Sequence, residues 1–98
     1  MEGLKKFKKR LTGTLKVEHL ILFGSQATGM PRSDSDIDLV LVSPQFAGMH
    51  SWKRRGLTRK HFDLNYPVDL LCYTPEEFDR KKSEASIIRE AVENGIEI

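Results

Sequence analysis

The chain has 98 residues, 39% of them hydrophobic and 31% charged, with a formal net charge of +2. That length suits one small domain, residues 1–98, burying roughly 60–65% of its unfolded surface, and the composition is that of a globular rather than a disordered chain. A charge so near zero gives no bulk attraction to nucleic acid, one cysteine excludes an internal disulfide, and neither a signal peptide nor a run long enough to span a membrane is present, so a cytoplasmic protein is expected.

Leu4, Phe7, Leu11 and Leu15 are spaced as one face of an amphipathic helix, with lysines between them and a weak point at Gly13. The flanking "KKFKKR" reads as its solvated face. "VEHLILF" (Val17–Phe23) reads as a strand, with His19 toward solvent. "SQATGM" offers a short helical turn after Gly24, closed by Gly29 and Pro31, and "PRSDS" has turn chemistry. "DIDLVLV" (Asp36–Val42) reads as a second strand, followed by a loop over residues 43–50 with Pro44 and Gly48. "SWKRRGLTRKHFDLN" (Ser51–Asn65) reads as a basic helix. Its basic residues, Lys53, Arg54, Arg55, Arg59 and Lys60 with His61 as a candidate sixth, near Trp52, fit either an exposed helix face or a surface for an acidic partner or RNA. Trp52 and Met49 read as interface anchors or as core.

"PVDLLCY" (Pro67–Tyr73) reads as a third strand, which places Cys72 in the core. "TPEE" then has the form of a capping box, with Thr74 as N-cap, Pro75 at the first helical position and Glu77 at the third. A last helix carries Ile87, Ile88, Ala91 and Val92 on one face. Asn94-Gly95 ends it, and "IEI" offers a short fourth strand. The expected fold is α/β (α+β), a mixed sheet of three or four strands covered by helices.

The aspartates stand out against this pattern. Asp36 and Asp38 interrupt an apolar strand, and residues two apart in a strand project to the same side, their Cα atoms about 6.5–7 Å apart. Asp69 interrupts another. If the two strands are neighbours, three carboxylates converge, and they repel unless cations compensate. Hard divalent cations with oxygen ligands fit, and two ions about 3.5–4 Å apart can clamp both oxygens of a phosphoryl displacement. Upstream, Gly24 and Ser25 sit at a strand-to-helix junction, where a plain turn and a phosphate-binding turn are both possible readings. Asp34 reads as a solvated turn residue. His19, His50 and His61 show no metal-ligand spacing with Cys72.

Gly24-Ser25, ten residues, then Asp36-Ile37-Asp38 is a G-S-x10-D-x-D pattern. It resembles the nucleotidyltransferase superfamily typified by DNA polymerase beta. More narrowly, the chain is similar to the minimal nucleotidyltransferases, small proteins paired with helical HEPN-domain partners. The likeness runs from "VEHLILFGS" to "IIREAVENGIEI". It implies that Gly24 and Ser25 hold the nucleotide triphosphate, that Asp36 and Asp38 bind Mg²⁺ (or Mn²⁺), and that Asp69 is a third carboxylate that helps deprotonate the attacking hydroxyl. It implies transfer of a nucleoside monophosphate, AMP from ATP, to an acceptor hydroxyl. A tyrosine of a HEPN toxin is the expected acceptor and RNA a weaker one, within a homo- or hetero-oligomer. The chain departs from the family at Thr28, where "GSQATG" lacks the arginine of G-S-x-A-R-G; either a triphosphate or pyrophosphate contact is missing or Arg32 supplies it. That departure leaves open a second reading, a nucleotidyltransferase-fold module that neutralises or scaffolds a partner by contact alone.

Overall fold

Leu4, Phe7 and Leu11 line the inner side of the helix Glu2–Thr12 (α1), and with Leu15 they are buried in one core cluster. Burying side chains of this size contributes about 1.5–3 kcal/mol each. The computed structural model describes residues 2–23, 37–62, 68–84 and 87–98. The strand His19–Phe23 (β1) follows α1, then the strand Ile37–Val42 (β2). A 3-10 turn, Pro44–Phe46, lies in the expected loop; Ser43 caps it by accepting from the Gln45 backbone N–H, and Gly48 turns the chain at φ +78. The helix Ser51–Arg59 (α2) leads to the strand Val68–Tyr73 (β3). The helices Pro75–Lys82 (α3) and Ile87–Asn94 (α4) and the short strand Ile96–Glu97 (β4) complete the order.

The four strands form one sheet in the order β3-β2-β1-β4. β2 and β3 are parallel, whereas β1 pairs antiparallel with both β2 and β4. A parallel pair needs a crossover connection, and α2 supplies it. Alternation along the strands sends side chains to two cores. Leu20, Leu22, Leu39, Leu41, Leu70 and Cys72 pack with α1, Phe46 and Leu57 on one face. Ile21, Phe23, Val40 and Val42 pack with Phe78 of α3 and Ile88 and Ala91 of α4 on the other. Every described β2 position from Leu39 onward is therefore buried, which explains why "LVLV" is a continuous apolar run rather than an alternating one.

Two elements differ from the sequence expectation. The C-terminal helix is two helices: α3 ends at Lys82 with Ser83 as C-cap, and α4 starts at Ile87. Ile88 and Ala91 are buried, but Val92 is 45% exposed, so the apolar face of α4 is narrower than expected. The basic helix stops at Arg59 rather than at Asn65. The fourth strand is present, and the chain reaches it through Gly95. A Cβ on Gly95 would lie 2.7 Å from Ile21 Cγ2 and 2.9 Å from Leu22 O, so only glycine fits that approach to β1. His19 is only partly exposed and pairs with Glu97 across β1 and β4, Nδ1 to Oε2 at 3.0 Å.

Candidate active site

Asp38 and Asp69 are register partners on β2 and β3. Partners in adjacent strands lie about 4.8 Å apart and point to the same face. Asp38 shares its parity with Val40 and Val42, and Asp69 with Leu71 and Tyr73, so both carboxylates belong to the α3/α4 face of the sheet. Each is the second residue of its strand, and Phe23, the last residue of β1, is the antiparallel partner of Asp38. The end of β1 and the starts of β2 and β3 thus share one end of the sheet. Asp38 is half-buried and Asp69 is exposed. The edge-strand location allows Asp69 to be a plain solvated carboxylate; its register with Asp38 brings the two carboxylates to one face of the sheet.

Phe23 and Ile37, which flank residues 24–36, both lie at this same end of the sheet. Gly24, Ser25, Thr28, Arg32, Asp34 and Asp36 lie outside the described residues. Among the described residues no group of three His, Cys, Asp or Glu side chains is placed to hold a metal. Two of the three expected ligands are brought together, and the third, Asp36, is two residues before Asp38 in sequence. A pair of in-register carboxylates is an all-oxygen donor set, which suits Mg²⁺ or Mn²⁺ and not a soft metal.

Behind the site, the end of the sheet away from the aspartates is fastened by one buried cation. Arg54 is only 8% exposed. Its Nη1 donates to Glu77 Oε1 at 2.6 Å and to Cys72 O at 3.1 Å, and its Nε donates to Met49 O at 3.0 Å. Glu77 is also the capping-box residue of α3: its carboxylate accepts from the Thr74 N–H at 2.9 Å. The hydrogen bond from Arg54, opposed in part by burial and aided to a lesser extent by that from the Thr74 N–H, holds the Glu77 carboxyl below its ordinary range. One guanidinium thereby ties α2, on one face, to the start of α3, on the other, around the end of β3.

Sequence reasoning counted Arg54 with the solvated cations of the basic helix. The signal that could have found it is its place on the same helix side as Leu57 and Thr58, three and four residues on, since Thr58 is buried and Leu57 packs on the core. Lys53, Arg55, Arg59 and Lys60 are exposed as expected. Trp52 lies on α2 and is 69% exposed, while Met49 packs against the first core. Cys72 is buried, and burial pushes its thiol up to about 11, so it behaves as core rather than as a nucleophile. No helix of the described residues is long and apolar enough to cross a membrane.

The chain matches the family model of the nucleotidyltransferase domain over residues 2–98. No curated protein matches it. Among solved structures it is similar to a protein from Sulfolobus solfataricus designated a candidate nucleotidyltransferase, with a TM-score of 0.69 and 22% identity over 98% of this chain and 76% of that one. It is also similar to a chain in a structure described as a toxin–antitoxin with AMP-PNP, with a TM-score of 0.62 and 20% identity over 99% of this chain and 72% of that one. At these identities the likeness is one of fold.

Proposed function

The chain belongs to the nucleotidyltransferase domain family, and from that membership we propose that it transfers AMP from ATP to a hydroxyl of a partner protein, as the antitoxin of a toxin–antitoxin pair. The observation that carries the reading is the register of Asp38 with Asp69 at the sheet end where β1 stops and β2 starts. An adenine nucleotide and a protein partner are supported by the fold neighbour described as a toxin–antitoxin with AMP-PNP. A tyrosine of a HEPN-domain toxin is the acceptor we favour, on the sequence resemblance.

In this reading Gly24, Ser25 and Arg32 contact the triphosphate, and Asp36, Asp38 and Asp69 hold Mg²⁺. The metal would neutralise phosphate charge and so let the anionic nucleotide sit beside the carboxylates. Asp69, exposed and therefore reachable by a large acceptor, takes the proton of the attacking hydroxyl. The acceptor oxygen forms a bond to the α-phosphorus, the bond from that phosphorus to the bridging oxygen breaks, and pyrophosphate leaves. The chain itself contributes positioning and fixed charge rather than a covalent intermediate.

The test is incubation with labelled ATP, Mg²⁺ and the candidate partner, followed by mass spectrometry of the partner. An added AMP on a hydroxyl side chain supports the reading. An unmodified partner that is nevertheless bound and silenced would favour neutralisation by contact alone.

A further inference from the structure

α2 has two unlike sides. Arg54, Thr58 and the partly buried Leu57 face the fold, whereas Trp52, Lys53, Arg55, Gly56, Arg59 and Lys60 are exposed. Among the described residues no ion pair involves Lys53, Arg55, Arg59 or Lys60. Arg59 reaches Val68 O at 3.5 Å, and Arg55 with Ser51 borders a groove along the outer edge of β3. Trp52, Arg55, Gly56 and Arg59 stand at i, i+3, i+4 and i+7. Those four positions make the hole that receives one side chain of a facing helix. Gly56 is its floor. A Cβ there would meet nothing within 4 Å, so no contact within the described residues requires glycine, although glycine weakens a helix interior.

We propose that this face of α2 docks an acidic helix of a partner protein. An apolar side chain of that helix sits over Gly56 against Trp52, and its carboxylates meet Arg55, Arg59 and the flanking Lys53 and Lys60. These cations, without an ion pair among the described residues, fix the sign of the partner's charge, and the exposed tryptophan and arginines are the residue types that anchor protein interfaces. Single-stranded RNA is the poorer fit, because one aromatic on a convex helix is not a succession of stacking platforms. The docking is a matter of contact and holds whether or not the partner receives a nucleotide.

Trp52 is the only tryptophan in the chain, so its fluorescence reads this face alone, without nucleotide. The probe is a helical peptide of about 21 residues, long enough to hold its helix, with a leucine stripe flanked by glutamates. The comparisons are its Glu→Gln twin and an oligoadenylate RNA. The glutamate peptide should give a saturable change in Trp52 emission, weakened roughly tenfold by the Gln replacement or by raised salt. Arg55→Glu with Arg59→Glu should weaken it by about as much or more, and Gly56→Leu should weaken it while circular dichroism stays helical. No response to the glutamate peptide, equal binding of the Gln twin, or tighter binding of the RNA would overturn the proposal. So would self-association of the chain that Trp52→Ala abolishes.

Discussion

Asp38 and Asp69 sit opposite one another on the parallel strands β2 and β3, each the second residue of its strand. Like charges brought into register in this way repel one another. The register leaves them in different surroundings: Asp38 is half-buried between Phe23 and Asp69, while Asp69 is exposed at the edge strand.

Asp69→Asn keeps shape and hydrogen-bonding atoms but removes charge and basicity. It should slow AMP transfer by about 10²–10⁴-fold, the range for loss of a general base, with ATP affinity little changed. Asp38→Asn should lower metal-dependent ATP affinity and transfer together. Both numbers, measured on each variant with an identified acceptor, check the assignment; full transfer by Asp69→Asn would remove Asp69 from the site.

Arg54 and Glu77 form the bridge between α2 and α3, at 2.6 Å. Arg54→Ala leaves Glu77, Cys72 O and Met49 O without this donor. It should cost roughly 2–3 kcal/mol, less than breaking a fully buried pair because the Glu77 side chain keeps 30% exposure. Urea denaturation measures the loss.

The same pair makes stability fall in acid. Glu77 titrates lower in the folded chain than its ordinary 4.5, chiefly through the hydrogen bond from Arg54. Its contribution is full above 4.5 and is lost as pH falls toward the lower folded value. Unfolding free energies measured from pH 7 down to about pH 3 should drop more steeply for the parent than for Glu77→Gln. Equal slopes would show that the pair carries no such linkage.

Gly56→Ala should stabilise the chain by about 1 kcal/mol, the usual helix-interior difference, because the added Cβ enters open space and the position is exposed. A rise in Tm checks this. An unchanged or lowered Tm would mean that α2 depends on glycine itself.

The Cys72 thiol, pushed from 9.0 to about 11, holds roughly a hundredfold less thiolate than a free one at pH 8. Alkylation of the native chain should be slower than that of the urea-unfolded chain by at least that factor. Equal rates would place Cys72 outside the core.

Local chemistry was the most legible part of the sequence. The capping box at Thr74–Glu77 is present in full because its partners are three residues apart. Leu4, Phe7 and Leu11 are buried because period decides which side of α1 meets the sheet, whereas Leu15, also buried, lies beyond the end of α1 at Thr12 rather than on the expected longer helix. The second and third strands were likewise readable to within one residue at each start. The pairing of Asp38 with Asp69 was not readable from local pattern, since register is set between strands 31 positions apart. The strand pattern offered their meeting only on the condition that the two strands are neighbours, and the family resemblance implied it. Arg54 was misread for the same kind of reason: its acceptor, Glu77, lies 23 residues away on the opposite side of the sheet. The break between α3 and α4 was missed because the polar stretch around Ser83 carries no glycine or proline to mark it.

Calorimetric titration of ATP into the chain, with and without Mg²⁺, tests the central claim most directly. In the proposed reading a divalent cation at the facing aspartates offsets their repulsion of an anionic ligand. ATP should therefore bind at least about tenfold more tightly with Mg²⁺ present, an enhancement that Asp38→Asn reduces. Equal affinity in the two conditions would contradict a metal-dependent nucleotide site at Asp38 and Asp69.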